Sequence, residues 1–401
     1  MMTDRELFER VGAAHDWAVA LRRRIHERPE LGNSEFETQK TICAALDEIG
    51  VAYSAENTWV IGLVRGDYPG PTVGIRADID ALPVTEPPGC PFRSKNEGAM
   101  HACGHDAHTA ILLGAARVLA GLRENMHGSV KLLFQPAEES TGGAERMVKA
   151  GAMENPHVDC VYGLHVMPRL PLGVVETRAG TLNASTDRIE ITVRGVSGHG
   201  AYPESGADAI VCAAQMITAL QTLVSRNLSP LSSAVLSFGQ IGGGRAPNII
   251  CDSVTLVGTL RTASADIRAM MKRRIGEVAQ GTAQAMGCAA EVAIQPGYNA
   301  LVNDPDEAAR IRRVGARLFG EANMLEKAEP SMGAEDFSFF SDAAPGAFFH
   351  IGCVRAEDMP APALHSERFH MDERCLDVGM AMHVALALDV MDGWKAEGHG
   401  E

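Results

Sequence analysis

Apolar residues recur at helical spacing over residues 6–24 and 35–49, and Gly50 marks a stop after the second run. The spacing then shortens. Residues 71–78 place Thr72, Val73 and Ile75 ahead of Arg76, which predicts a strand. A buried helix is predicted over 107–122, a strand over 130–134, a helix over 143–150 ended by Gly151, and a strand over 159–166. Strands and helices in alternation predict an α/β layer on a largely parallel sheet.

The pattern changes near residue 188. Residues 188–194 alternate Ile189, Ile191 and Val193 with polar positions, the mark of a half-exposed strand. A helix over 207–226, strands over 233–241 and 253–261, a helix over 265–286 and a strand over 288–295 follow. The order β-α-β-β-α-β is that of a ferredoxin-like unit. The first pattern then resumes, with a helix over 305–319, a strand over 347–351 and a helix over 375–391. The expected fold class is therefore α/β: a mostly parallel-sheet domain at 1–185 and 299–401, with an inserted ferredoxin-like α+β domain at 186–298. A chain of 401 residues is long enough for two cores.

Composition narrows the function classes. The formal net charge is −15 and there is no Lys/Arg block, so neither nucleic acid nor an anionic membrane is an expected partner. The uncharged run 210–225 contains Gln215, Thr218, Gln221 and Thr222 and reads as a packed helix. Nine cysteines, an odd number without regular spacing, read as reduced thiols. With no secretion-signal pattern in the first residues, the expected location is cytoplasmic.

The densest chemistry lies at residues 100–108, Met-His-Ala-Cys-Gly-His-Asp-Ala-His. Thiolate and imidazole are the ligands preferred by Zn²⁺ and its neighbours. Cys103 and His105 face the same way in an extended turn, which Gly104 permits, and the predicted helix follows. A second station, Glu138-Glu139, follows the strand that ends near Phe134. Adjacent carboxylates are costly without a compensating positive charge. A metal supplies one, and the pair then divides into a ligand and a proton carrier. His165 ends a strand, His365 sits in a loop of the resumed first pattern, and Asp78 and Asp80 close another strand. A carboxylate at that strand end is placed to orient a metal-bound histidine.

These motifs make the chain similar to the dinuclear metallopeptidase family of aminoacylases and glutamate carboxypeptidases. The closest resemblance is to its amidohydrolase branch, with hippurate hydrolase and the auxin–amino-acid hydrolases. It runs nearly end to end through His26-Glu27-Arg28-Pro29-Glu30-Leu31-Gly32, Arg76-Ala77-Asp78-Ile79-Asp80, residues 100–108, Gln135-Pro136-Ala137-Glu138-Glu139 and Gly163-Leu164-His165. It continues through Gly198-His199-Gly200-Ala201, Gly258-Thr259-Leu260-Arg261, Met332-Gly333-Ala334-Glu335-Asp336-Phe337 and Leu364-His365-Ser366.

The resemblance implies two divalent metal ions per subunit, Zn, Mn, Co or Ni, held by Cys103, His105, Glu139, His165 and His365. It implies Glu138 as general base, and the inserted domain as lid and dimer surface. His199 would reach the partner subunit's site to stabilise the oxyanion. Asn248 and Arg261 would bind the substrate, and Asp78 would stand behind the ligands. The implied activity is hydrolysis of N-acyl or N-aroyl amino acids by a homodimer or homotetramer. His101 and His108 are left as supporting residues, and Met332, Phe337, Phe339 and Phe340 as pocket lining or core. Two departures stand out. Much of the wider family has a histidine where this chain has Arg76, a change the amidohydrolase branch shares along with Cys103. Tyr202 precedes Pro203 where the lid motif often has histidine.

Three rivals remain. A cysteine hydrolase with Cys103 as nucleophile leaves the carboxylates and the other histidines without a task. A catalytically silent metal-binding protein sits badly with an intact Glu138. A metallo-dipeptidase or carboxypeptidase differs only in substrate.

Overall fold

The structure is a computed structural model and describes residues 2–395. It divides into two compact units: Met1–Leu182 with Val302–Ala328 and Asp336–Glu401, and Asn183–Leu301 with Glu329–Glu335. The division lies three residues from each boundary expected from the sequence, 185/186 and 298/299. The short segment Glu329–Glu335 also joins the second unit, which no local pattern announces.

Along the chain, α1 (Asp4–His26) starts two residues earlier than its periodicity. Thr3 explains this: its hydroxyl accepts the Glu6 N–H while the Glu6 carboxylate accepts the Thr3 N–H, a capping box. Then come α2 (Phe36–Glu48), β1 (Ala52–Glu56), β2 (Trp59–Arg65), β3 (Tyr68–Asp78), α3 (His105–Ala120), β4 (His127–Gln135), α4 (Ala144–Lys149) and β5 (Cys160–Pro171). Two short strands, β6 (Val175–Thr177) and β7 (Gly180–Asn183), lead toward the second unit. The hairpin of β1 and β2 has no counterpart in the pattern analysis.

The second unit holds β8 (Ser185–Arg194), β9 (Gly198–His199), α5 (Ala209–Asn227), β10 (Ala234–Gly243), β11 (Ile249–Ile250), β12 (Ser253–Thr262), α6 (Ala265–Ala285) and β13 (Ala289–Pro296). Its sheet runs β10-β12-β8-β13, antiparallel throughout. The β8-α5-β10-β12-α6-β13 connectivity with that order is the ferredoxin-like arrangement. Ile189, Ile191 and Val193 point into the same core as Cys212, Met216 and Leu220 of α5, so the alternation read from β8 is its buried face. By length and composition α5 passes for a membrane span. Its residues Ala209, Cys212, Ala213, Met216, Leu220 and Leu223 are buried in this core.

The chain returns through β14 (Leu301–Asn303), α7 (Pro305–Phe319), β15 (Met324–Glu326), α8 (Ser338–Ala343), β16 (Gly346–Val354) and α9 (Cys375–Trp394). The first unit's sheet has eight strands in the order β1-β2-β4-β3-β5-β16-β6-β15. Its centre, β4-β3-β5-β16, is parallel, as expected, and the β1–β2–β4 edge is antiparallel. β3, β4 and β5 therefore end on the same side of the sheet. Asp78 closes β3 and Glu138 follows β4, whereas His165, expected at a strand end, lies within β5, which runs on to Pro171; the three are brought together where open α/β sheets carry their sites.

Candidate metal centre and active site

Gly104 makes the first corner. It lies in the left-handed region (φ 92°, ψ 15°), and a Cβ on it would stand 2.4 Å from Cγ2 of Val166. Only glycine turns the chain there without strain. Cys103 thus precedes the turn, and His105 is the first residue of α3. The helix begins two residues sooner than its apolar pattern predicts, so His105 belongs to the helix and not to the extended turn.

After β4, Ala137 takes a positive φ of 58°, a conformation that costs an alanine about 1–2 kcal/mol. Glu35 supports it: its carboxylate accepts the Ala137 N–H at 2.8 Å. This turn brings Glu138 and Glu139 beside His105, with ligating atoms within 4.8 Å of one another. His165 lies on β5 with Nδ1 2.7 Å from the Val166 carbonyl. The proton therefore sits on Nδ1, and Nε2 is left to take a cation. His365 sits in its loop with φ 65°, and its N–H donates to the Ala102 carbonyl at 2.9 Å.

Cys103 is the shared corner. Its Sγ is 3.3 Å from Nε2 of His165 and 3.3 Å from Nε2 of His365. Cys103–His105–His165 and Cys103–Glu139–His365 each converge within 4.8 Å. Ligands of one tetrahedral ion, bound at about 2.0–2.3 Å, stand roughly 3.3–3.8 Å apart. Nε2 of His105 and Oε1 of Glu139 are buried without a hydrogen bond. Glu139 Oε1 is 2.9 Å from His365 Nε2 yet outside hydrogen-bonding geometry. Glu139 and His365 thus stand within ion-pair distance, and the open Nε2 of His105 belongs to the same cluster as Glu139.

The electrostatics ask for positive charge. Burial alone would depress His105, yet Asp78, Asp80 and Glu139 raise it to about 10. Burial, then Glu139 and Glu138, push the Cys103 thiol well above its ordinary range. Burial keeps His165 neutral. A divalent cation supplies the charge that protons otherwise bring, and turns the thiol into a thiolate ligand. The donor set therefore fits such ions.

Residues 74–389 match the family model described as Peptidase family M20/M25/M40. The chain belongs to this family. An IAA-amino acid hydrolase of Arabidopsis thaliana (ILR1-like 4) is 41% identical over 378 residues, 93% of this chain and 85% of that protein. Thermostable carboxypeptidase 2 of Saccharolobus solfataricus is 36% identical over 379 residues, 93% of this chain and 95% of its own. The solved structure of the Bacillus subtilis YXEP protein, a dinuclear metal binding peptidase from the M20 family, has a TM-score of 0.83 at 34% identity. It covers 95% of this chain and 99% of that one.

Within this M20 chain, the residues around the ligands divide differently from the sequence reading. Asp80, not Asp78, lies 3.2 Å from His105 Nδ1, and it also accepts the Glu139 N–H at 3.0 Å. Asp78 takes His108 Nδ1 at 2.6 Å, with its other oxygen 3.6 Å from His105 Nε2. His108 Nε2 accepts the Val166 N–H at 2.9 Å, so both its nitrogens are committed and it acts as scaffold. His101 is buried, and burial lowers it to about 3, which keeps it neutral. Phe337 and Phe340 are core residues. Sequence reasoning missed Glu35 and the specific task of Asp80; the Asp-x-Asp spacing at a strand end was the available signal for the latter.

Arg76, where the wider family often has histidine, is buried and bonds Asp78 (2.9 Å), Asp336 (3.0 Å) and Gln135 (2.7 Å). A fixed guanidinium thus neutralises two buried carboxylates. Arg76→Met is expected to destabilise the protein by about 3–5 kcal/mol, because it strands those charges. Urea unfolding measures this, and a loss under 1 kcal/mol would mean that the carboxylates find other partners.

In the second unit, His199 and Asn248 share one ribbon. His199 pairs with Ile249 between β9 and β11, and Gly200 N–H donates to the Asn248 carbonyl at 2.9 Å. His199 is exposed, and its Nδ1 accepts the Ala201 N–H at 3.0 Å. Its ring proton is therefore on Nε2, the outward donor. Arg261 stands on β12 and donates to the Met332 carbonyl at 3.2 Å.

Proposed function

We propose that this protein hydrolyses the amide bond of N-acyl or N-aroyl amino acids, releasing a carboxylic acid and an amino acid. The observation that carries the reading is the convergence of Cys103, His105, Glu139, His165 and His365, with Glu138 beside them, in a chain of the M20 family. We assign the five converging residues, Cys103 among them as a thiolate, to hold two divalent cations, Zn, Mn, Co or Ni. Once bound, such ions polarise the amide carbonyl and acidify water.

Glu138 then takes the proton of the attacking water and returns it to the leaving nitrogen, which departs as a neutral amine. His199, with its proton on Nε2, donates to the developing oxyanion, a contribution of about 3–4 kcal/mol for one well-placed donor. Asn248 and Arg261 meet the carboxylate or carbonyl of the substrate. Asp80 holds His105 and the Glu139 backbone in place.

The test is a release assay over a panel of N-acyl amino acids, repeated with each metal. The Saccharolobus carboxypeptidase favours a second reading, cleavage of peptides at the C-terminus. Peptides turned over in preference to every N-acyl amino acid would select it.

We further infer a homodimer or homotetramer in which His199 serves the partner's site. The ferredoxin-like unit supports this, with exposed apolar Val235 and Ile241 on its edge strand β10, and Ile210 and Val211 on α5. Mixing Glu138→Gln chains with His199→Ala chains is expected to restore about half of wild-type activity per mixed dimer, where one of the two sites is intact, and about a quarter over a randomly exchanged 1:1 population. No recovery after confirmed subunit exchange would place His199 in its own chain's site. All nine cysteines are free thiols, which supports a reducing, cytoplasmic location.

A further inference from the structure

β5 continues past His165 to Pro171, and the loop carrying His365 follows β16. Between Met167–Arg169 and the segment 359–364 lies a cavity of about 410 Å³. Seven of its eight lining residues are apolar, among them Met167, Pro168, Met359, Ala361 and Leu364. The eighth, Arg169, is committed. Its guanidinium binds both carboxylate oxygens of Glu176, which also takes His350 Nδ1 at 2.8 Å.

No candidate ligand lines the cavity, but two of its walls are continuous along the chain with ligand residues. Strand side chains alternate, so Met167 shares a face with His165 and lies roughly 7 Å along the strand. The pairing there is regular, with His350 opposite His165 and Gly352 opposite Met167. Leu364 immediately precedes His365, whose N–H is tied to Ala102 beside Cys103.

We propose that this cavity holds the acyl group of the substrate and selects aryl and medium-length alkyl groups over acetyl. The proposal rests on the hydrolase reading above and adds which half of the substrate goes where. The amino-acid half carries a carboxylate and needs a cation, but the pocket's only cation is already neutralised by Glu176. The uncharged acyl half matches a wall of methionine, proline, alanine and leucine. A volume of about 410 Å³ falls within the range of whole small-molecule sites, so an acetyl group leaves most of it unfilled.

Two measurements test this. In the first, kcat/KM is compared for N-benzoylglycine and N-acetylglycine in the wild type and in Ala361→Trp, which adds bulk to the cavity wall at a residue that is not itself a ligand. The benzoyl substrate is expected to be preferred about tenfold or more by the wild type, and to lose about thirtyfold in the variant while the acetyl substrate changes less than threefold. Equal losses for both, or none, overturn the pocket assignment.

In the second, zinc-loaded Glu138→Gln protein carrying ¹³C-methyl methionine is titrated with N-benzoylglycine to millimolar concentration. The methyl signals of Met167 and Met359, assigned through Met→Leu variants, are expected to move under the ring current. Unmoved signals sink the assignment even if hydrolysis is observed. If the wild type hydrolyses no acyl amino acid, the function falls and this titration alone judges the pocket.

Discussion

Replacing Glu138 by glutamine is expected to lower kcat by about 10²–10⁴-fold while leaving metal content unchanged. The side chain keeps its shape, and at 8% exposure it stays in the same enclosed position beside Glu139. In the role we propose for it, what it loses is the ability to take a proton from water and hand it to the leaving nitrogen. Expulsion of an amide nitrogen without a proton is prohibitive, so the loss appears in kcat more than in KM. Metal analysis by mass spectrometry beside steady-state kinetics separates this from loss of the ions. Wild-type kcat with full metal occupancy would remove Glu138 from its assigned role.

Chelation is expected to abolish turnover, and Zn²⁺, Mn²⁺, Co²⁺ or Ni²⁺ to restore it. The same treatment is expected to lower Tm, because an ion bound only by the folded chain stabilises it by mass action. The pH dependence has a defined sign. Without the ion, His105 and Cys103 hold protons at neutral pH, since both titrate above their ordinary values. Both must lose them to bind, so metal uptake releases protons and affinity falls as pH falls. Calorimetry in buffers of different ionisation enthalpy reads the proton count. A metal-free preparation with full activity would end the metal reading and return Cys103 to candidacy as a nucleophile. Iodoacetamide inactivation independent of metal would then be its signature.

Much of the architecture was legible in local patterns. Alternation along β8 and helical spacing along α6 and α7 are periodicities that a neighbouring core imposes on a contiguous stretch. The β1–β2 hairpin escaped because β1, Ala52–Glu56, is exposed at every position and carries no alternation to read. The early start of α3 escaped because its first turn bears His105 and Asp106, both buried for polar and not apolar reasons.

The ligand types, the acidic pair and the family resemblance were all present in the linear chain, because thiolate, imidazole and carboxylate declare their chemistry wherever they stand. Their division of labour was not. Cys103 and His365 are 262 positions apart, and sheet register and a loop tied to Ala102 bring them to 3.3 Å. That Cys103 belongs to both groups, that Asp80 and not Asp78 braces His105, and that His108 is held by Asp78 and Val166 are facts of distance between remote segments. Which nitrogen of a histidine faces the ion depends on the partner its other nitrogen finds, and only the folded chain supplies that partner.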